Sequence, residues 1–506
     1  MFRQRVAPLG SGGVYVSAPK VGWVRTLQQA VAIGATLGSE MNIEDLADRL
    51  DAGLVGMCDE LQVPGASVVV ASGVDVIEAT AGVVNSVTGV PVTADTVFQI
   101  QSVTKIFTAT LVMQLVDEGR LGLDDPVQAH LPEFRTADPV ASRRITVRHL
   151  LTHTGGFEGD LWQATTSSDD ALDRFVRDLV SRARQYSPPG QRFSYCNAGF
   201  GTLGRLVEVH RGTTYEEALR RHVADPLGID EIAFSADQAL AFRTAIGHVR
   251  SEPTAELRPT RHWALMPPSN PAAGNQLAMS ARGLARLGRV FVSKGRAASS
   301  VPLLSPASVA AMLHPQLRHR DGAPAPTDQG LAWWLPRPRV AEHGGGAPGT
   351  VSMLTIVPDQ QLTVAVLTNA DGGARLTRLL VDSLLADLAQ VPPTPALQLP
   401  DPRARVTDPA PYRGRYANRQ TVLEITTDAE GRLWQTRRLR NDEIDMARRA
   451  GFAVTAERHE IRPISSDTFV RVTSSGQPAG TLVFLDPDPA GRYATVADDR
   501  VASRRE

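Results

Sequence analysis

Ser102 and Lys105 stand three residues apart in Ser102-Val103-Thr104-Lys105, at the head of an apolar stretch that runs from Thr104 to Glu118 and is stopped by Gly119. Positions i and i+3 share a helix face, so this spacing predicts a hydroxyl and an ammonium that converge. A serine hydroxyl is a weak nucleophile until something takes its proton. A lysine desolvated in a packed cleft gives up its own proton more readily and can fill that role. A second group, Tyr195-Cys196-Asn197, follows the tight turn set by Pro188, Pro189 and Gly190. A tyrosine beside an ammonium ionises more easily and is a candidate general base, while the Asn197 amide can hold a substrate carbonyl and orient the lysine. A third group is His343-Gly344-Gly345-Gly346, behind a strand-like run. Residues without a Cβ, here Gly345 and Gly346, let a substrate backbone lie against a sheet edge and leave amide N–H groups open as oxyanion donors. Taken singly, each group has a better bland reading: a helix cap with an exposed lysine, a core aromatic beside a cap, and a glycine-rich turn.

Together they occur in the order Ser-x-x-Lys, Tyr-x-Asn, His-x-Gly, each on the kind of element its role requires. In this the chain resembles the serine β-lactamase and penicillin-binding-protein superfamily. Tyr-x-Asn and His-Gly-Gly are similar to its class C-related branch, which includes family VIII-type esterases and D-aminopeptidases. LVDEGRLGLDDPVQAHLPEF (115–134), ITVRHLLTHTGGF (145–157), PPGQRFSYCNAGFGTLGRLVE (188–208), DPLGI (225–229) and LTVAVLTNADGG (362–373) extend the resemblance over about residues 42–390. It implies that Ser102 is acylated, that Lys105 is its proton acceptor or hydrogen-bond partner, and that Tyr195 is the general base. It further implies that Asn197 holds substrate, with the N–H groups of Ser102 and Gly346 as the oxyanion hole. His343 departs from the lysine typical of β-lactamases, and histidine carries no permanent charge at neutral pH. Poor recognition of a β-lactam carboxylate follows, improving on acidification if the imidazole contacts the anion. Cys196 replaces a frequent serine and is expected to pack rather than react.

The elements that must position these groups are legible in the periodicities. Apolar residues recur at helical spacing over 43–61, and ASVVVA (66–71) with 74–79 reads as a hairpin. Helices are predicted at about 170–184, 198–211, 214–224, 280–294, 305–314 and 375–388, with strands at 331–335, 351–357 and 362–368. Strands at both ends with helices between predict an α+β unit: one antiparallel sheet, a helical lobe, and a site in the crevice between them. The expected organisation is a poorly ordered extension over 1–40, a catalytic domain over 41–390, and a proline-rich linker over 391–411. A small all-β domain, a lipocalin-like barrel or a sandwich, then occupies 412–506, with strands in TVLEI, RLWQT, FAVTA, TFVRV and TLVFL.

Composition narrows the function. Of 506 residues, 42% are hydrophobic and 21% charged, with a formal net charge of −1, so no basic surplus nominates nucleic acid. The arginines between Arg437 and Arg449 are interrupted by acids and read as a solvated face. Two cysteines, Cys58 and Cys196, make no disulfide framework, and Cys58 reads as core. His149 and His153 sit at i, i+4 but lack a third ligand, so neither a metal nor another cofactor is expected. No run reaches the length of a spanning helix, and the first 25 residues lack the apolar core of a secretory signal, which predicts a cytoplasmic protein with no membrane partner. The expected activity is hydrolysis of small esters, amides or short peptides through an acyl-serine. The alternative is an acyltransferase or peptide cyclase of transacylase or thioesterase type in small-molecule biosynthesis, because the same intermediate serves both. A true β-lactamase and a non-catalytic binding protein are the remaining readings; the presence of Ser102, Lys105 and Tyr195 together argues against the last.

Overall fold

The computed structural model describes residues 43–252, 255–263, 270–319, 327–395, 397–449, 454–498 and 500–505; the extension expected over 1–40 lies outside them. The first helix, α1 (Ile43–Leu61), carries Leu50, Leu54, Met57 and Cys58 on its buried face. It leads into β1 (Gly65–Ser72) and β2 (Asp75–Gly82). β1 is buried along its length because it lies inside the sheet, which is why its sequence reads as an unbroken run of small and β-branched residues. β2, at the edge, alternates buried and partly exposed residues.

The chain then leaves the sheet for the helical lobe. Its central helix, α2 (Thr104–Asp117), is buried on nearly every side, consistent with an apolar sequence that has no polar face. α3 (Asn197–Arg211) packs against it, and α4 (Ala281–Val292) returns the chain to the sheet. The helices expected at 170–184 and 214–224 contain π-helical turns, Phe175–Leu179 and Arg220–Ala224. The remaining strands are β3 (Leu317–His319), β4 (Thr327–Gln329), β5 (Trp334–Arg337), β6 (Val340–Ala347), β7 (Thr350–Val357) and β8 (Leu362–Thr368). They complete an eight-stranded antiparallel sheet of order β2-β1-β8-β7-β6-β5-β4-β3, with Val69 opposite Ala365 where the two ends of the domain meet. α1 and α5 (Gly373–Ala389) cover one face and α4 the other. The strand expected at 331–335 begins only at Trp334. Ala332 takes a left-handed conformation with φ +65°, and Gly330 donates its N–H to the Trp333 carbonyl, so the run turns before it extends.

After the proline-rich stretch, eight strands close into an up-and-down barrel: β9 (Gly414–Ala417), β10 (Thr421–Thr427), β11 (Leu433–Leu439), β12 (Glu457–Pro463), β13 (Thr468–Val472), β14 (Pro478–Pro487), β15 (Tyr493–Ala497) and β16 (Val501–Arg505). β9 pairs with β16, so the sheet has no free edge. A helix, α6 (Asn441–Arg449), crosses between β11 and β12 and was not expected from the strand pattern. The strand anticipated in FAVTA is displaced: 454–456 are irregular, pairing starts at Glu457 opposite Arg437, and the first two residues of that segment lie outside the description. The lumen is filled by Tyr416, Leu423, Ile425, Phe469, Leu482 and Phe484, whose rings meet edge to face, so the interior is a packed core. What the barrel offers to ligands or to the catalytic lobe is therefore its outer surface.

Candidate active site

Ser102 sits in a single 3-10 turn (Gln101–Val103) that feeds directly into α2. That turn is held under strain. Gln101 has φ +49°, an unfavourable region for a residue with a side chain. Its backbone is clamped from two sides by glycines: a Cβ on Gly274 would stand 2.0 Å from the Gln101 carbonyl oxygen, and one on Gly345 would stand 2.3 Å from that of Ile100. Ser352 Oγ donates to the Ile100 carbonyl at 2.7 Å, and Gln101 Nε2 donates to Thr350 Oγ1 at 3.2 Å. Gly345 thus acts through the backbone that presents Ser102. Gly346, exposed and with open space beside its Cα, borders the crevice. Gly274→Ala combines a steric clash with a positive φ of +93°. It is expected to cost about 2 kcal/mol or more of stability in urea unfolding, and a neutral result would show that the clamp relaxes freely.

Lys105 lies one turn on, fully buried, with Nζ 3.1 Å from Ser102 Oγ. Nζ also donates to the Ala273 carbonyl at 2.5 Å and lies 4.8 Å from the centre of the Tyr195 ring. Burial is the largest influence on this amine and drives its pKa well below the usual lysine range; the Arg500 guanidinium pushes the same way, and Asp160 opposes. A neutral amine can donate to Ala273 while its lone pair accepts from the serine hydroxyl. That arrangement can remove the proton when Ser102 attacks.

Tyr195 and Asn197 bracket the start of α3, where Cys196 Sγ caps the helix by accepting from the Gly199 N–H at 3.3 Å. Burial pushes the Cys196 thiol up to about 12, so it caps and packs as an un-ionised group. The Asn197 amide donates to Asp160 Oδ1 at 2.6 Å. His153, with φ +57°, stacks on Tyr195 at a centroid distance of 4.4 Å and accepts the Cys196 N–H at 3.0 Å. His149 instead accepts the Thr146 N–H at 3.1 Å and closes a capping box. The two histidines therefore have separate structural tasks. Among the described residues no group of three or more His, Cys, Asp or Glu side chains could hold a metal.

His343 comes to the same place from β6. Its ring is fully buried, stacks on Trp334 at 4.7 Å and lies 6.5 Å from Tyr195. Nδ1 donates to the Gly344 carbonyl at 2.8 Å. Burial first, and then positive charge on Lys105 when it is protonated, lower its pKa to about 3. Burial thus favours the neutral ring, which runs against the expectation that mild acidification would charge it. Between about pH 3 and 6.5 the unfolded chain binds a proton at this position that the folded chain refuses, so stability falls as pH drops through that window. Replacing His343 by Asn should flatten the decline between pH 6.5 and 4 by about 2 kcal/mol or more in urea unfolding. Parallel curves for the two proteins would contradict the neutral, buried ring.

Two residues that motif reasoning missed complete the site. Asp160, buried, accepts from Asn197 through one oxygen and from Arg500 Nε through the other. Arg500 lies in the turn between β15 and β16 of the barrel, and its guanidinium sits 5.1 Å from the centre of the Tyr195 ring. The Val501 N–H donates to Ser194 Oγ at 3.2 Å beside it, and Arg192 pairs with Asp486. The barrel therefore contributes a cation to the site. Nothing in the sequence near residue 500 signals this, because the partner is 340 positions away.

The β-lactamase family profile matches residues 41–386. The chain is 37% identical to penicillin-binding protein 4 of Amycolatopsis lactamdurans over 73% of its own length and 96% of that protein. It is 32% identical to the esterase EstB of Burkholderia gladioli over 42% of this chain and 58% of the esterase. The solved structure of SurE with D-Leu superposes with a TM-score of 0.72 at 28% identity, covering 91% of this chain and 99% of SurE. That coverage is more than the 350 of 506 residues in 41–390 can supply, so the likeness includes the barrel.

Proposed function

This chain belongs to the β-lactamase family and is an enzyme of serine-hydrolase type acting on small ester, amide or peptide substrates, and from that premise we propose that Ser102 is its acylated nucleophile. Lys105, neutral in its buried seat, takes the serine proton. Tyr195 passes a proton between the nucleophile, the leaving group and the incoming acceptor. The N–H groups of Ser102 and Gly346 receive the oxyanion. Asn197 and Gly345 hold the substrate and the nucleophile turn in register, and His343 shapes the wall as a neutral ring. One observation carries this reading: a fully buried lysine lies 3.1 Å from a half-buried serine hydroxyl and under the ring of the tyrosine from the second motif. Burying an amine this fully is costly, and one hydrogen bond to the Ala273 carbonyl is a small structural return for it.

Transfer of the acyl group to an amine is the second reading, favoured by the barrel's approach to Tyr195. Hydrolysis needs water at the acyl-serine, and a guanidinium held 5.1 Å from the Tyr195 ring can help seat a bound acceptor in competition with water. The complex of SurE with D-Leu makes D-residues the first acyl and acceptor groups to try. Intact-mass spectrometry after mixing with p-nitrophenyl esters, D-aminoacyl amides, aminoacyl thioesters and a cephalosporin, with and without amine acceptors, tests both readings. An adduct on Ser102 with release into water supports hydrolysis, and release only with an amine supports transfer. No adduct with any of them would refute the proposal. Cephalosporin turnover should be poor, since neutral His343 offers no charge to the carboxylate; kcat/KM within the ~10⁴–10⁸ M⁻¹s⁻¹ of enzymes on good substrates would contradict that.

A further inference from the structure

A cleft of about 780 Å³ lies at the seam of lobe and barrel. Its back wall includes Glu158 and Leu161, in the segment that carries Asp160. Arg182 and Arg184 enter it from the lobe. Arg415, Arg419, Arg438, Arg440 and Arg505 enter it from the barrel, where strand alternation turns Tyr416 and Leu423 into the core and their charged neighbours outward. Among the described residues that line the cleft, seven carry guanidiniums and two carry carboxylates. Glu424 is paired with Arg438 at 2.8 Å, and Glu158 accepts the Tyr186 hydroxyl and, at 2.9 Å, the Arg419 N–H. No carboxylate among the described residues lies within ion-pair distance of Arg182, Arg184, Arg415, Arg440 or Arg505. Some of these arginines make structural contacts, Arg440 with the Asn418 carbonyl at 3.0 Å and Arg184 with the Tyr186 ring at 5.4 Å, but converging like charges repel even when solvated, so the surplus of positive charge favours an anion. The chain as a whole carries a net charge of −1, so the concentration of positive charge is local.

We propose that this seam cleft binds a small phosphate-bearing ligand. The volume lies in the range of small-molecule sites. Guanidinium forks presented from two sides suit the several acceptor oxygens of a phosphoryl group, each able to take paired N–H donors. An anion there would tie lobe to barrel close to Asp160, which holds both Asn197 and Arg500. The site is separate from the acylation chemistry, so it can be tested on protein that cannot acylate.

Full-length Ser102→Ala protein, titrated calorimetrically with pyrophosphate in buffers matched in ionic strength with sodium chloride, provides the test. Saturable binding is expected, weakened at least tenfold in Arg182→Ala/Arg440→Ala, and unchanged in Arg143→Ala, an exposed arginine outside the cleft. Both cleft arginines are exposed, and the pair gives up one side-chain bond, from Arg440 to the Asn418 carbonyl, so the double variant should remain folded, which its thermal unfolding in the absence of ligand checks. Phosphate and adenosine diphosphate, run in parallel, separate recognition of the phosphoryl group from that of a larger molecule; binding by either supports the site. Heat indistinguishable from that of added chloride, or equal affinity in the double variant, would overturn the proposal. So would tighter binding of poly-glutamate than of every phosphate, which would assign the cleft to an acidic polypeptide.

Discussion

Ser102→Ala is expected to lose all acyl-enzyme formation and to lower kcat by about 10⁴-fold or more, the scale seen when a nucleophile is removed from a cooperating set. The protein should remain folded. Ser102 is in a 3-10 turn with no side-chain cap bond, and the backbone clamp holds Ile100 and Gln101 just before it without using the hydroxyl. The measurement is an intact mass after incubation with an activated ester, alongside thermal unfolding. A covalent adduct on the Ser102→Ala protein would move the nucleophile elsewhere. Cys196 would not be the replacement, because its thiol is buried, committed to the helix cap and held un-ionised. The size of the expected loss separates a catalytic hydroxyl from a structural one, since a lost cap costs only ~0.5–2 kcal/mol of stability and leaves turnover intact.

How much of this site the sequence discloses depends on the range of the interaction. Ser102 and Lys105 are one helical turn apart, so their convergence follows from local geometry. Tyr195, Asn197 and His343 come from distant segments, and spacing alone would have left each with its bland reading. Their order along the chain, and the family resemblance it carries, pointed to one place, where the Tyr195 ring lies 4.8 Å from Lys105 Nζ and 6.5 Å from the His343 ring. The main sheet was legible for the same local reason: a buried central strand and amphipathic helices each leave a period. Ala332 was not, because a single left-handed residue inside an apolar run leaves no period. Nor was the placement of β12, since a helix between two strands shifted the pairing to begin at Glu457. Arg500 and Asp160 illustrate the general limit. An arginine in a hairpin turn looks like surface, and its role appears only when the barrel docks.

That docking changes what the second domain means for catalysis. A filled barrel with no lumen could be a passive appendage. Here one of its turns delivers a guanidinium over Tyr195 and ties it to the carboxylate that also holds Asn197. Removing that cation by Arg500→Gln should lower kcat/KM about tenfold or more without unfolding the chain, on the scale of a lost electrostatic contact in a desolvated site. Unchanged kinetics would return the barrel to a structural role.

The Lys105 amine should give the second large effect, and its sign in stability should oppose its sign in activity. Lys105→Met keeps the length of the side chain and removes the ionisable group. With Tyr195→Phe it forms a double-mutant cycle on activity, in which each single variant is expected to lose about 10³-fold or more and the pair little further, because the two act on one proton. Independent, multiplicative losses would mean separate tasks. In stability, the folded chain holds Lys105 neutral at pH values where the unfolded chain carries it charged, because burial has lowered its pKa in the native state. Across that window the unfolded state binds one more proton, so native stability rises with pH by up to ~1.4 kcal/mol per unit until the unfolded lysine also loses its proton near pH 10.5. Lys105→Met lacks this term. At pH 7 the variant should therefore match or exceed the parent in stability despite leaving the Ala273 carbonyl without its donor, and the parent should close the gap between pH 8 and 10. Urea unfolding of both proteins across that range decides it. A gap that stays constant with pH would show that the native lysine keeps its proton, and would leave Tyr195 as the group that must deprotonate Ser102.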